Sequence, residues 1–126
     1  MKKVIHTTNA PAAIGPYSQA IEINGMLFIS GQIPVNPVDG TIPEGITAQT
    51  EQVMSNLTAI LNEAGYTLND VVKTTCLLSD IANFASMNEV YAKSFTVNPP
   101  ARAAFAVRDL PKGVMVEIEA IAIKTA

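Results

Sequence analysis

Arg102 lies in a stretch that offers it almost nothing polar, Asn98-Pro99-Pro100-Ala101-Arg102-Ala103-Ala104-Phe105-Ala106-Val107. A guanidinium keeps its charge at any physiological pH, so in apolar surroundings it needs an anion. That anion is either a carboxylate of the protein or the acid group of a ligand. The segment that follows, Val114-Met115-Val116-Glu117-Ile118-Glu119-Ala120-Ile121, supplies two carboxylates within an alternating apolar pattern. Period-two alternation puts Met115, Glu117, Glu119, Ile121 and Ile123 on one side of a strand. The bland reading is an edge strand with one wet patch. The functional reading is a carboxylate at the lip of a pocket beside the Arg102 strand, where it can orient or deprotonate a water.

Other residue types narrow the chemistry. Asn88 sits inside the apolar stripe Phe84, Met87, Tyr91, Phe95, so its amide either caps a loop or points into a site. Gly15-Pro16-Tyr17-Ser18 reads as a turn, and Ser30-Gly31-Gln32 closes an apolar strand where backbone N–H groups can meet an anion. Cys76, the lone cysteine, lies in the β-branched run Val71–Leu78 and reads as a buried, inert thiol. His6 reads as an incidental surface histidine. One cysteine and one histidine cannot assemble a zinc site of the usual kind within one chain, and neither a P-loop nor a dinucleotide fingerprint is present. No metal and no cofactor are expected.

The composition bounds the rest. The 126 residues suit one domain, 1–126. Hydrophobic residues make up 48% and charged residues only 15%, so a monomer exposes much apolar surface, and burial between subunits favours a homo-oligomer. A net charge of −3 with no basic run argues against a nucleic-acid surface. No leader-like or membrane-length apolar segment appears, which points to a soluble cytoplasmic protein without membrane contact.

These residues need elements to hold them. Ile21–Ile23 and Met26–Ser30 flank Asn24-Gly25, a hairpin signal. The proline-rich segment from Gly31 to Gly45 is an ordered loop or irregular hairpin. A helix follows, with Thr47 as N-cap, a stripe of Val53, Met54, Leu57, Ile60, Leu61 and Ala64, and Gly65 as its stop. Val71–Leu78 is a strand, and Ser79 or Asp80 caps a second helix that ends before Pro99-Pro100. The last strands are Arg102–Val107 and Val114–Ile123. The order β-β-α-β-α-β-β predicts an α+β fold, a mixed sheet with both helices packed on one face and strands adjacent to their sequence neighbours at both ends.

Four motifs, Gly15-Pro16-Tyr17-Ser18-Gln19-Ala20, Ile29-Ser30-Gly31-Gln32-Ile33-Pro34, Pro100-Ala101-Arg102 and Glu117-Ile118-Glu119-Ala120-Ile121-Ala122, strongly resemble the Rid family of reactive-intermediate (RidA/YjgF) deaminases over essentially the whole chain. The resemblance implies a chorismate-mutase-like fold and a homotrimer with clefts between subunits. It also implies cofactor-free hydrolysis of 2-imino acids, such as 2-iminobutanoate and 2-iminopropanoate, to 2-keto acids and ammonia. The family's carboxylate-binding arginine falls on Arg102 and its water-positioning acid on Glu117. Tyr17 joins these two as catalytic, and Ser30, Gly31, Asn88 and Ala104 match cleft positions that bind substrate. Many members carry cysteine where this chain has Ala104, and a backbone contact at that position makes the change tolerable. The competing readings are a non-catalytic, keto-acid-sensing trimer and a ribonuclease or translation inhibitor. A chorismate mutase is disfavoured because its dianionic substrate needs more than one cation.

Overall fold

The computed structural model describes residues 1–124. Six strands form a mixed sheet: β1 (Lys3–Ile5), β2 (Ala20–Ile23), β3 (Met26–Gln32), β4 (Val71–Leu78), β5 (Ala101–Ala106) and β6 (Val116–Ile123). Helices α1 (Ile46–Ala64) and α2 (Phe84–Ser94) cover one face. The sheet order is β1-β2-β3-β6-β4-β5; β4 and β5 run parallel across the α2 crossover, and every other pair is antiparallel. The α+β architecture with two helices on a mixed sheet is the one the sequence predicts.

Local chemistry accounts for the elements. Asn24 and Gly25 both take positive φ, 52° and 76°, which is the twist a two-residue hairpin demands, and β2 and β3 pair around them. In α1 Val53, Met54, Leu57, Ile60 and Leu61 of the predicted stripe are buried and Ala64 is half-buried, and Gly65 ends the helix in the left-handed conformation. Asp80 accepts the Ala82 N–H at 2.9 Å and caps a single 3-10 turn that leads into α2.

Three expectations need correction. Thr47 is not the N-cap: α1 begins at Ile46, and Gly45 occupies the cap without a side-chain bond. Gln49 N–H closes the first turn on the Gly45 carbonyl, while the Gln49 side chain reaches out to Met115 N–H and the Pro43 carbonyl. β1 is an added strand, too short for its periodicity to register, with only Ile5 buried. The strands are not adjacent to their sequence neighbours at both ends either: β2 pairs with β3, but β4 lies between β5 and β6. The reason lies in β6, whose Val116, Ile118, Ala120 and Ala122 are all buried against the helices. Such a strand belongs at the sheet centre, between β3 and β4, whereas β5 has only exposed and half-buried residues and takes the edge.

The face opposite the helices is uncovered. Val4, Ile21, Phe28 and Ile121 stand side by side across four strands of it, and Phe28 is 40% exposed.

Candidate active site

Arg102 and Glu117 occupy opposite faces of the sheet. Arg102 pairs across the ladder with Thr74, which is buried beneath α2, so its side chain rises on the helix side. There Nη1 donates to Asn88 Oδ1 at 2.6 Å, and Cζ lies 4.9 Å from the Tyr91 ring centroid and 5.4 Å from that of Phe84. Tyr91 is fixed from below by a 2.6 Å hydrogen bond between its hydroxyl and that of Thr74, and from the side by Phe95, 4.8 Å away. Among the described residues no carboxylate pairs with Arg102. Two aromatic faces and one amide hold the guanidinium without neutralising it, and this leaves donors free for an anion. The space beside it, about 460 Å³, is lined by Asn88, Tyr91, Phe95, Pro99, Pro100 and Arg102.

Ala104 is half-buried, with its side chain against the core and its backbone opposite Cys76. Val107 N–H bonds to Leu78 O on β4 at 2.8 Å. Strand alternation then turns the Ala104 N–H to the free outer edge of β5, on the same edge as Arg102. Cys76 is fully buried, and burial pushes its thiol up to about 11, against a smaller opposing pull from Arg102. It is a buried core residue, as the sequence suggests.

Glu117 stands on the uncovered face, half-buried, above a bulge in β3. Ile29 faces Ala120 and Gln32 faces Ile118, so Ser30 and Gly31 together oppose a single β6 residue. The bulge carries Gly31 under the Glu117 carboxyl: a Cβ on Gly31 would overlap Oε2 and come within 2.9 Å of Cδ. Burial first, and the neighbouring Glu119 second, raise the Glu117 pKa above its ordinary value. Ser30 ties the Tyr17 turn to this bulge, with Oγ donating to Ser18 O at 2.6 Å and its N–H donating to Gln19 O at 3.0 Å. Tyr17, Ser30, Gly31, Lys112, Glu117 and Glu119 thereby line one cleft of about 540 Å³.

The structure thus gathers the expected residues into two groups: Tyr17, Ser30, Gly31 and Glu117 on one face, Arg102, Asn88 and the Ala104 edge at the other. Glu117 is not beside the arginine strand, because β4 separates the two. Sequence reasoning treated Phe84 and Tyr91 only as core. Their signal was the spacing of Phe84, Asn88 and Tyr91 on one helical face, which suits a cation held between rings. Lys112 also escaped notice; its φ of 57° in the turn before β6 has no sequence signature such as glycine or asparagine.

Among the described residues no cluster of ligating side chains suits a metal ion, and no helix is long and apolar enough to cross a membrane.

The family model described as Endoribonuclease L-PSP matches residues 7–124. A RutC family protein of Pyrococcus horikoshii is 58% identical, covering 98% of this chain and 99% of its own length. The 2-iminobutanoate/2-iminopropanoate deaminase of Mus musculus is 49% identical over 98% of this chain and 93% of its own. That of Escherichia coli is 46% identical over 98% and 99%. Among solved structures, a Rid-family protein of unknown function from Yersinia pestis superposes with a TM-score of 0.96 at 50% identity, covering 98% of this chain and 100% of that one. Escherichia coli TdcF with bound serine gives 0.93 at 41%, covering 98% and 99%. A match this complete in both sequence and fold makes the chain a member of the Rid (YjgF/RidA, L-PSP) family.

Proposed function

We propose that this chain is a 2-imino acid deaminase that works as a homotrimer, with each site built between two copies. The observation that carries the proposal is the division of charge. An arginine without an acidic partner among the described residues and a half-buried, proton-hungry carboxylate lie on opposite faces of one sheet, each at the lip of its own cleft. The Arg102 cleft has no base, and the Glu117 cleft has only the ammonium of Lys112 on its wall, a point charge without the guanidinium fork that grips a carboxylate. A rotational assembly that sets the β5 edge of one copy over the uncovered face of the next joins them and covers the apolar row of Val4, Ile21, Phe28 and Ile121. The names of the mouse and Escherichia coli relatives support the substrate class.

In this arrangement Arg102 takes the substrate carboxylate in a two-toothed fork, aided by the Ala104 N–H. The adjacent imine carbon is already electrophilic, so no protein nucleophile is needed. Glu117 accepts a proton from a water as the water oxygen bonds to that carbon. Addition to the N-protonated imine gives a neutral amino alcohol. Glu117 hands its proton to that nitrogen, the C–N bond breaks with its electron pair leaving on ammonia, and the hydroxyl proton passes to Glu117 and on to solvent as the carbonyl forms. A 2-imino acid and water become a 2-keto acid and ammonia. A carboxyl whose pKa is raised by burial is a better base than one in open water. Tyr17 closes the cleft wall, and Gly31 leaves the carboxylate its space.

A coupled assay tests this reading. Threonine dehydratase generates the reactive imine, and 2-ketobutyrate formation is followed with and without the protein. Acceleration above the spontaneous rate is expected; a rate unchanged by micromolar protein returns the chain to the keto-acid-sensing alternative.

A further inference from the structure

We propose that a second, more enclosed cavity behind Gly31 is a subsite for the side chain of 2-imino acids with extended or branched aliphatic groups. This deepens the deaminase reading and rests on it. The cavity measures about 250 Å³ and lies between the loop at Pro11–Ile14 and the loop at Ile33–Gly40. It adjoins the Glu117 cleft, with which it shares Ile14, Tyr17, Gly31, Ile33 and Lys112.

The substituents of the reacting carbon set the direction. The carboxylate is drawn outward to Arg102 of a second copy, and the nitrogen must stay within reach of Glu117. The remaining substituent is left to point inward, past Tyr17 and Gly31, into this space.

The walls are held apart by buried amides. Gln19 is 2% exposed, and its Nε2 donates to the carbonyls of Thr7 at 3.0 Å, Ala10 at 3.4 Å and Pro11 at 2.8 Å, while Oε1 accepts Thr7 N–H at 2.8 Å. Asn56 is fully buried, and its Nδ2 donates to the carbonyls of Ile33 and Val35, each at 3.1 Å. Burying such amides is costly unless they are bonded, and here their bonds pin one loop on each side of an empty space.

The lining decides the ligand. Pro11, Ala12, Ile14, Ile33, Val35 and Pro37 supply apolar surface. Two of the polar wall groups are engaged within the chain: Asn36 Oδ1 accepts Val38 N–H at 2.8 Å, and Gln32 Nε2 donates to Ser30 O at 3.2 Å, while Lys112 and Tyr17 belong to the wall shared with the Glu117 cleft. Away from that shared wall the two loops offer an occupant mainly apolar contact, which suits an isobutyl or similar group.

The test measures a ratio. An amino-acid oxidase generates the imines of leucine and alanine, and kcat/KM for hydrolysis is taken for each with wild type and with Val35→Phe, which fills the cavity. Wild type is expected to favour the leucine-derived imine, and Val35→Phe to lower the leucine-to-alanine ratio roughly tenfold or more, the discrimination an apolar pocket gives for one or two methylenes. Calorimetry with 4-methyl-2-oxopentanoate and pyruvate reads the same ratio from binding alone. A wild type without preference, or a ratio unmoved by Val35→Phe, overturns the subsite and leaves the deaminase reading intact. Turnover of neither imine, with preferential binding of the branched keto acid that Val35→Phe removes, upholds the subsite and overturns the deaminase reading. Should Val35→Phe fail to fold, Ala12→Leu narrows the same space from the exposed side.

Discussion

The two charged regions of this chain solve opposite problems. Around Arg102 the protein surrounds a permanent cation with soft partners, two aromatic rings and an amide, at an exposed sheet edge. Around Glu117 it withdraws water from a titratable group near the sheet centre, which raises the pKa. The first arrangement keeps a charge available for an anion to bind; the second makes a carboxylate more willing to take a proton. In the proposed deaminase one region binds and the other transfers a proton, and the sheet sets them on opposite faces of one chain.

The largest effect is expected at Glu117. Glu117→Gln keeps the shape and removes the base, and general-base contributions run at about 10²–10⁴-fold. The intrinsic reactivity of an imine favours the lower end. The rate of the wild type depends on the ionised form, so the acid limb of its kcat/KM profile is expected above the ordinary carboxylate range and absent in Glu117→Gln. The stability profile has a fixed sign as well. The folded chain holds this proton more tightly than the unfolded chain, so its contribution is present below 4.5 and is lost as pH rises through the raised folded value. Glu117→Gln is therefore expected to melt higher than wild type near neutrality, the gap closing on acidification. A gap that widens in an Arg102→Ala background marks the guanidinium of a second copy as the counter-charge. Equal rates for wild type and Glu117→Gln would make this carboxylate merely structural.

Arg102 should show the reverse pattern, in binding more than in proton transfer. Had a carboxylate of its own chain been its partner, Arg102→Ala would strand a charge and cost roughly 3–5 kcal/mol. Its partners are instead Asn88 and two rings, worth on the order of 1 kcal/mol at an exposed site. Thermal stability is expected to change little while keto-acid affinity and turnover fall about a hundredfold. Arg102→Lys should bind almost as poorly, for want of the fork. Mixing Arg102→Ala with Glu117→Gln after subunit exchange should restore about a quarter of the wild-type sites, the chance pairing of two intact halves. No recovery on mixing argues that the halves never meet.

What the sequence made legible was whatever depends on local pattern. The alternation of β6 fixed the face of Glu117, the stripe of α1 fixed its core side, and Asn24-Gly25 fixed the first hairpin. What it hid was lateral order. Nothing in Arg102–Val107 or Val114–Ile123 says that β4 will lie between them, because strand order is decided by which strand has most to bury. The four motifs that carry the family resemblance name the residues that belong together without saying that one chain separates them. The Gly31–Glu117 approach was equally hidden: a bulge sets it, and a bulge is a property of two strands.

A smaller effect is expected at Tyr91, which acts through Arg102. Its ring supports the guanidinium and its hydroxyl anchors to Thr74. Tyr91→Leu removes the aromatic face and should weaken keto-acid affinity by roughly fivefold to tenfold, in line with a cation–π contact of about 1 kcal/mol. It should raise KM more than it lowers kcat. Tyr91→Phe keeps the ring and should restore most of the affinity while remaining less stable than wild type. If both variants lose stability alike and neither changes KM, the ring serves the core alone.

The smallest effect on turnover is expected at Cys76, and that makes it the control for the whole comparison. The thiol faces the core from β4, fully buried, next to the strand that bears Arg102. Burial holds its pKa at about 11, so at neutral pH almost none of it is the thiolate that nucleophilic chemistry requires. Cys76→Ala leaves a small void in a packed interior and is expected to cost about 1–2 kcal/mol of stability. Because Cys76 and Ala104 are ladder partners, a shift at one can displace the edge N–H at the other, and Cys76→Ser, closer in size, controls for that. The paired measurement is a melting curve and kcat/KM on the same preparations. Lower melting with unchanged turnover leaves the chemistry to Glu117 and Arg102. Abolished turnover in both variants, with the fold and assembly intact, would bring thiol chemistry into the site and undo the division between a binding half and a proton-transfer half.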